Sequence, residues 1–209
     1  MKEEQPMTGR VNQKLRTRTA IVRAAAELSR TGREVTMPEV AEAALVSEAT
    51  AYRYFPDLAS LLREAIADQL PTPEEALATV ADSSDAVERI AAATEFLLRH
   101  VLARQGVVRA MIAATVARPG EAGARPGLRF GLIDHALAPV TEGPAAPDAA
   151  ALAQLKNDLA VVVSAEALFS LTDLYGLDPE AAIASIVRTA TALTRARLGS
   201  VSSGTSRIR

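Results

Sequence analysis

Apolar positions along this 209-residue chain recur at helical spacing through most of its length. Between Thr17 and Arg30 the residues Ile21, Ala24, Ala25 and Leu28 share one helix face, while Arg16, Arg23 and Arg30 recur every seven residues on the opposite face. Gly32 is a stop signal for this first helix. Thr36 then offers an N-cap hydroxyl, Pro38 suits a first helical turn, and Val40, Ala41 and Ala44 form a short apolar stripe. A break at Leu45-Val46 precedes Ser47, a second N-cap residue, which opens a helix over Glu48–Tyr54. Pro56-Asp57 ends that helix, and Asp57 caps another in which Leu58, Leu61, Leu62 and Ile66 recur until Pro71.

The remaining two-thirds also reads as helices. Val87, Ile90, Ala91, Thr94, Leu97, Leu98 and Val101 predict a long helix over Asp85–Gln105; Gly106 is placed to bend or end it before a second helix, Val107–Ala117. Pro and Gly mark loops at 118–127 and 143–147, enclosing a helix near Leu128–Leu137 that Pro139 closes. Two long helices follow, Ala149–Tyr175 and Pro179–Leu198, separated by Gly176-Leu177-Asp178. No stretch alternates with period two, so the fold class is all-α. The expected organisation is a disordered polar arm at 1–15, a helical domain at 16–70, a second at 71–198 and a flexible Ser-rich tail at 199–209.

Composition narrows the chemistry. The chain has no Cys and two His, His100 and His135, which argues against a zinc finger, a disulfide framework, a thiol nucleophile or a multi-His metal site. No apolar run approaches the ~20 residues of a membrane span, and MKEEQPMTGR lacks the apolar core of a signal peptide, so a cytoplasmic protein with no membrane partner is expected. The formal net charge of −2 hides an asymmetry. Residues 10–33 hold seven basic residues against Glu27 alone, whereas residues 67–194 hold nine basic and sixteen acidic, a net of −7. A basic end on an acidic body suits either a polyanion partner or a solvated helix face.

Four short helices in ~70 residues, two joined by a tight turn, make a helix-turn-helix arrangement, with Val40, Ala41, Val46, Ala51 and Phe55 packing the pair. At these residues, and above all along VSEATAYRYFPDLASLL (Val46–Leu62), the chain resembles the DNA-binding domain of TetR-type transcriptional regulators. The resemblance covers about the first 70 residues. Two positions depart from the family pattern. The turn residue is Leu45 where the family usually has Gly, which adopts a left-handed conformation without cost. After Pro56 come Asp57 and Leu58 where the family commonly places a phosphate-binding Lys.

The resemblance implies a homodimer on double-stranded DNA, released by a small-molecule effector, and more readily a repressor than an activator. The second helix of the pair would enter the major groove with its N-terminal part. The implied DNA-binding residues are Arg16, Arg18, Thr36, Ser47, Glu48, Ala49, Thr50, Tyr52, Arg53 and Tyr54. Arg53 suits a bidentate bond to guanine or a phosphate contact; Ala49 or the Thr50 methyl suits a thymine methyl. Thr36, Tyr52 and Tyr54 suit phosphates, Glu48 suits cytosine N4, and Arg10 and Lys14 could follow a minor groove.

The same resemblance places a four-helix dimer interface on the last two helices, at Leu159, Val163, Ala167, Ile183, Ile186, Val187 and Ala190. Effector contacts are sought among polar or aromatic residues inside apolar segments: Phe96, His100, Met111, Phe130, Asp134, Phe169 and Asp173, with Arg104 and His135 as weaker pointers. No cofactor and no catalytic residue is expected, because no Ser–His–Asp, metal or phosphate-loop pattern accompanies the carboxylates. A helical carrier without DNA would explain the later helices but not the Arg-rich first helix or the Tyr-Arg-Tyr-Phe-Pro run.

Overall fold

The structure is a computed structural model that describes residues 7–67, 69–117, 127–141 and 147–203. Among the described residues there is no strand. The helices are α1 (Met7–Ser29), α2 (Met37–Ala43), α3 (Glu48–Tyr54), α4 (Leu58–Ala67), α5 (Pro73–Ala76), α6 (Ala86–Ala103), α7 (Gln105–Ala117), α8 (Leu128–Thr141), α9 (Ala149–Val162), α10 (Ala165–Phe169) and α11 (Pro179–Ser203). The chain divides into two compact units, one of residues 1–70 and 102–126, the other of 71–101 and 127–209. This differs from the expected division at residue 70, because α7 packs with the N-terminal helices.

In the first unit α1 packs against α2 and α4, α2 against α3, and α4 against α7. Ile21, Ala24 and Ala25 of α1 meet Val40, Ala41, Ala51, Phe55, Leu61, Leu62 and Ile66 in one core, with Val107 and Met111 contributed by α7. Each short helix has a local reason to start where it does. The Thr36 hydroxyl accepts from the Glu39 N–H while the Glu39 carboxylate accepts from the Thr36 N–H, a reciprocal box with Pro38 in the first turn. Ser47 caps α3 through the Thr50 N–H, and Asp57 caps α4 by accepting from the Ser60 N–H at 2.8 Å.

The turn between α2 and α3 is a Schellman motif. The Val46 N–H donates to Ala41 O at 2.9 Å and the Leu45 N–H to Glu42 O at 3.0 Å, which sets Leu45 in the left-handed region at φ 56°. Leucine therefore performs the glycine turn instead of avoiding it, at a cost of roughly 1–2 kcal/mol. Its side chain is 93% exposed and returns no packing for that strain.

Gly106 has the tightest backbone approach in this unit. A Cβ there would lie 2.0 Å from Arg33 O, and the Gly106 N–H donates to Gly32 O at 3.4 Å. Gly106 thus marks where α7 sits directly on the α1–α2 loop, and Gly32 (φ 70°) turns that loop.

Two boundaries of α1 and α11 correct the expectation of a disordered arm and tail. Residues 7–15 are the first turns of α1, and α11 runs to Ser203. The expected loops at 118–126 and 143–146, the first six residues, the last six, and the side chain of Arg10 lie outside the described residues.

In the second unit α8 packs on α5 and α9, and α11 on α9 and α10. Buried Ile90, Leu98, Leu132, Ile133, Leu137, Leu155, Leu159 and Leu168 form its interior. The expected helix Ala149–Tyr175 is broken. Val163 takes an inverse γ conformation (φ −80°, ψ 72°), and Ser164 starts α10 as an N-cap, accepting from the Ala167 N–H and donating to Val161 O. After α10 the chain widens into a π turn over Ser170–Leu174, which Gly176 (φ 80°) ends.

Pro139 does not close α8, which continues to Thr141. A proline lacks the N–H that would bond the carbonyl four residues back, at His135. Buried Arg89 of α6 takes up that carbonyl at 2.9 Å, together with Ala136 O at 3.2 Å and Val80 O at 2.8 Å. This guanidinium therefore satisfies the break in α8 and ties it to the segment before α6.

Candidate nucleic-acid interface

The core decides which side of α3 faces out. Ala51 is fully buried and Phe55 nearly so, which leaves Glu48, Ala49, Tyr52 and Arg53 exposed. Tyr54 is half-buried, and the Arg53 guanidinium lies 5.8 Å from its ring centroid. This exposed side of α3 is free for a major groove, as the helix-turn-helix geometry requires. Glu48 in the first turn also favours the positive helix end.

Several expected contacts have other work. Arg18 forms a bidentate pair with Glu64 of α4 and covers the Phe55 ring at 4.9 Å. It is a staple between α1 and α4. The Thr36 hydroxyl donates to the Glu39 carboxylate at 2.8 Å while capping α2. That bond is the main reason the Glu39 carboxyl sits below its ordinary value of 4.5, with the Thr36 N–H and nearby Arg33 adding to it. Ser47 and Thr50 share a 2.8 Å hydrogen bond between their hydroxyls at the start of α3. Arg16 is exposed.

A surface groove of about 380 Å³ lies beside α3, lined by Gln13, Lys14, Arg53 and Tyr54. Sequence reasoning does not reach Gln13, and it places Lys14 on an arm suited to a minor groove, not on a helix beside α3. The signal that could have found them is the continuation of helix-compatible residues N-terminal to Thr17.

The expected effector residues belong to both units. Met111 is buried in the core of the other unit, Phe169 is buried, and Phe130, Asp134 and Asp173 are exposed. Asp134 pairs with Lys156 at 2.7 Å, and Asp173 accepts from the Thr172 hydroxyl. Phe96 and His100, one turn apart on α6 and half-buried, do meet, with ring centroids 6.1 Å apart and an interplanar angle of 26°. The residues expected at a dimer interface lie mostly inside their own unit. Leu159, Val163, Ile183, Ile186 and Ala190 are buried inside their own unit, so their side chains are spent on the intrachain core. Ala167 and Val187 are half-buried.

A two-helix unit capped, turned and exposed in this way defines a helix-turn-helix DNA-binding protein. Residues 21–65 match the family model described as bacterial regulatory proteins, tetR family. The match indicates a DNA-binding transcription regulator, and its fold is all-α. No curated protein and no solved structure matches the chain. No helix among the described residues is long and apolar enough to cross a membrane.

Proposed function

We propose that this regulator is a cytoplasmic repressor that binds a pseudo-palindromic operator as a homodimer and leaves it when a small-molecule effector binds. The observation that carries the DNA-binding part is the exposed side of α3, where Glu48, Ala49, Tyr52 and Arg53 face outward from a core anchored by Ala51 and Phe55. A single such unit reads few base pairs, and a two-fold dimer places two of them about one helical turn apart, which supports the palindromic reading.

For the dimer, the apolar side chains left available are Val161, Leu174 and Tyr175, exposed by 75%, 86% and 77%, with half-buried Ala167 and Val187. For the effector, support comes from the Phe96–His100 ring pair on α6. That helix leads through Arg104 into α7, which contributes Val107 and Met111 to the DNA-binding unit's core. An effector shifts the regulator between states only by binding one of them better.

The test is selection of randomised duplex DNA by the purified protein, followed by sequencing, with mass measured by light scattering. A palindromic motif bound at dimer mass is expected. Tyr52→Ala should weaken operator binding while the mass stays dimeric, and Leu174→Asp should lower the mass. DNA retention by Tyr52→Ala equal to that of the parent would refute the reading helix; a monomer on a single half-site would refute the dimer.

A further inference from the structure

We propose that the groove between α1 and α3 is a cradle for a DNA backbone phosphate, and that Arg53 acts there and not on a base. The inference rests on the DNA-binding reading of α3 and adds to it a site and a role. The four lining side chains present a Lys ammonium, an Arg guanidinium, a Gln amide and a Tyr phenol, with no carboxylate among them. That is a donor set for a phosphate oxygen cluster.

Part of the basic charge of this unit is already neutralised within the chain. Arg18, Arg23 and Arg33 each face a carboxylate, from Glu64, Glu27 and Glu39. Among the described residues no carboxylate pairs with Lys14 or Arg53, and these two line one groove from distant parts of the chain. Two like charges held across a groove repel one another, and an anion between them removes that repulsion. Their position is also fixed. Lys14 rides on α1, which is helical from Met7, and the Arg53 guanidinium lies 5.8 Å from the Tyr54 ring centroid, within cation–π reach. A phosphodiester next to a base-reading helix and a free phosphate share this chemistry. The groove borders the exposed side of α3, which favours the phosphodiester.

The experiment measures affinity for operator and for unrelated duplex between 50 and 200 mM salt, in the full chain and in Lys14→Gln, Arg53→Gln and Arg23→Gln. Each lost phosphate contact lowers the log–log salt slope by about 0.9, so across that fourfold range the parent should lose roughly 3-fold more affinity than Lys14→Gln or Arg53→Gln. Both variants should bind every sequence more weakly, with the selected motif unchanged. Arg23→Gln should match the parent. A parent slope in Lys14→Gln, or loss of preference at one guanine in Arg53→Gln, would overturn the proposal. Inorganic phosphate, set against chloride at equal ionic strength, distinguishes the source. No extra competition is expected, and competition that vanishes in Lys14→Gln would make this a free-anion site and overturn its assignment to DNA. A parent protein that binds no duplex would instead sink the DNA-binding reading itself.

Discussion

Gly106→Ala should unfold the DNA-binding unit more easily, although alanine is the better helix former. The added Cβ would fall 2.0 Å from Arg33 O, 2.4 Å from Arg33 C and 2.7 Å from Glu34 N, where real contacts stay beyond 3.0 Å. All three are backbone atoms of the α1–α2 loop, so no side chain can swing away. Either the loop or α7 must move by about 1 Å, a clash of a kind that costs about 1–3 kcal/mol in a packed core. Movement of α7 would also loosen Val107 and Met111, which are 1% and 4% exposed, at a further cost of up to about 2 kcal/mol. Helix propensity returns about 1 kcal/mol.

The net expectation is a loss of up to about 4 kcal/mol, centred on about 2 kcal/mol, or roughly 4–8 °C in Tm for a chain of this size. Urea unfolding followed by circular dichroism reads it. Gly199→Ala is the control, because that glycine lies in α11 with nothing within 4 Å of its would-be Cβ. The control should be neutral or slightly more stable. A Gly106→Ala midpoint within 0.5 kcal/mol of the parent (~0.5 being ordinary for surface changes) would refute the close-approach argument.

Three shorter predictions follow from other parts of the molecule. Leu45→Gly should stabilise by about 0.5–1 kcal/mol, since relief of the left-handed leucine exceeds glycine's added unfolded-state entropy and an exposed side chain loses no packing; a lower urea midpoint would contradict the strain. Arg89→Met should cost about 3 kcal/mol in thermal melts, because buried carbonyls at His135, Ala136 and Val80 lose their donor; an unchanged melt would mean those carbonyls find another donor. Hydrogen bonds from Thr36 to Glu39, and from Gln154 and Arg197 to Asp158, hold both carboxylates below their ordinary values. Their contribution is therefore complete above about pH 5 and lost as the pH falls through the lowered values, so acid unfolding should be shallower in Glu39→Gln than in the parent.

The DNA-binding unit was legible because its signals are local. Thr36, Ser47 and Asp57 each cap the helix expected of them, and Ala51 and Phe55 turn inward as their spacing requires. Signals that depend on a distant partner were not legible. Arg18 looks like any other arginine of a basic helix until Glu64 and Phe55 close over it. The stripes on α9 and α11 announce burial correctly, but periodicity cannot say whether the covering surface is the same chain or a second copy. Ser164 carried a readable N-cap signal within Ala149–Tyr175, hidden because the apolar run continues on both sides of it. The effector residues were hard to choose for a related reason: a polar or aromatic residue in an apolar segment does not reveal which way its helix is turned.

The departures from the family pattern bear on one another. Where the resemblance implies a phosphate-binding Lys at the start of α4, Asp57 instead commits its carboxylate to the Ser60 N–H. A carboxylate at that edge repels a phosphate, so backbone binding has to come from elsewhere on the same unit. The α1 extension supplies it under the proposed arrangement, carrying Lys14 to the groove where Arg53 lacks a carboxylate partner among the described residues. Strain at Leu45 belongs to the same account, because the Schellman turn it closes fixes where α3 begins and so where Arg53 ends one face of the groove. Changing Asp57 to Asn should then raise affinity for every duplex alike without altering the motif, whereas the same change in a Lys14→Gln background should recover only part of what the groove loses. Full recovery would show that the two positions are interchangeable charge sites and would remove the need for a built cradle.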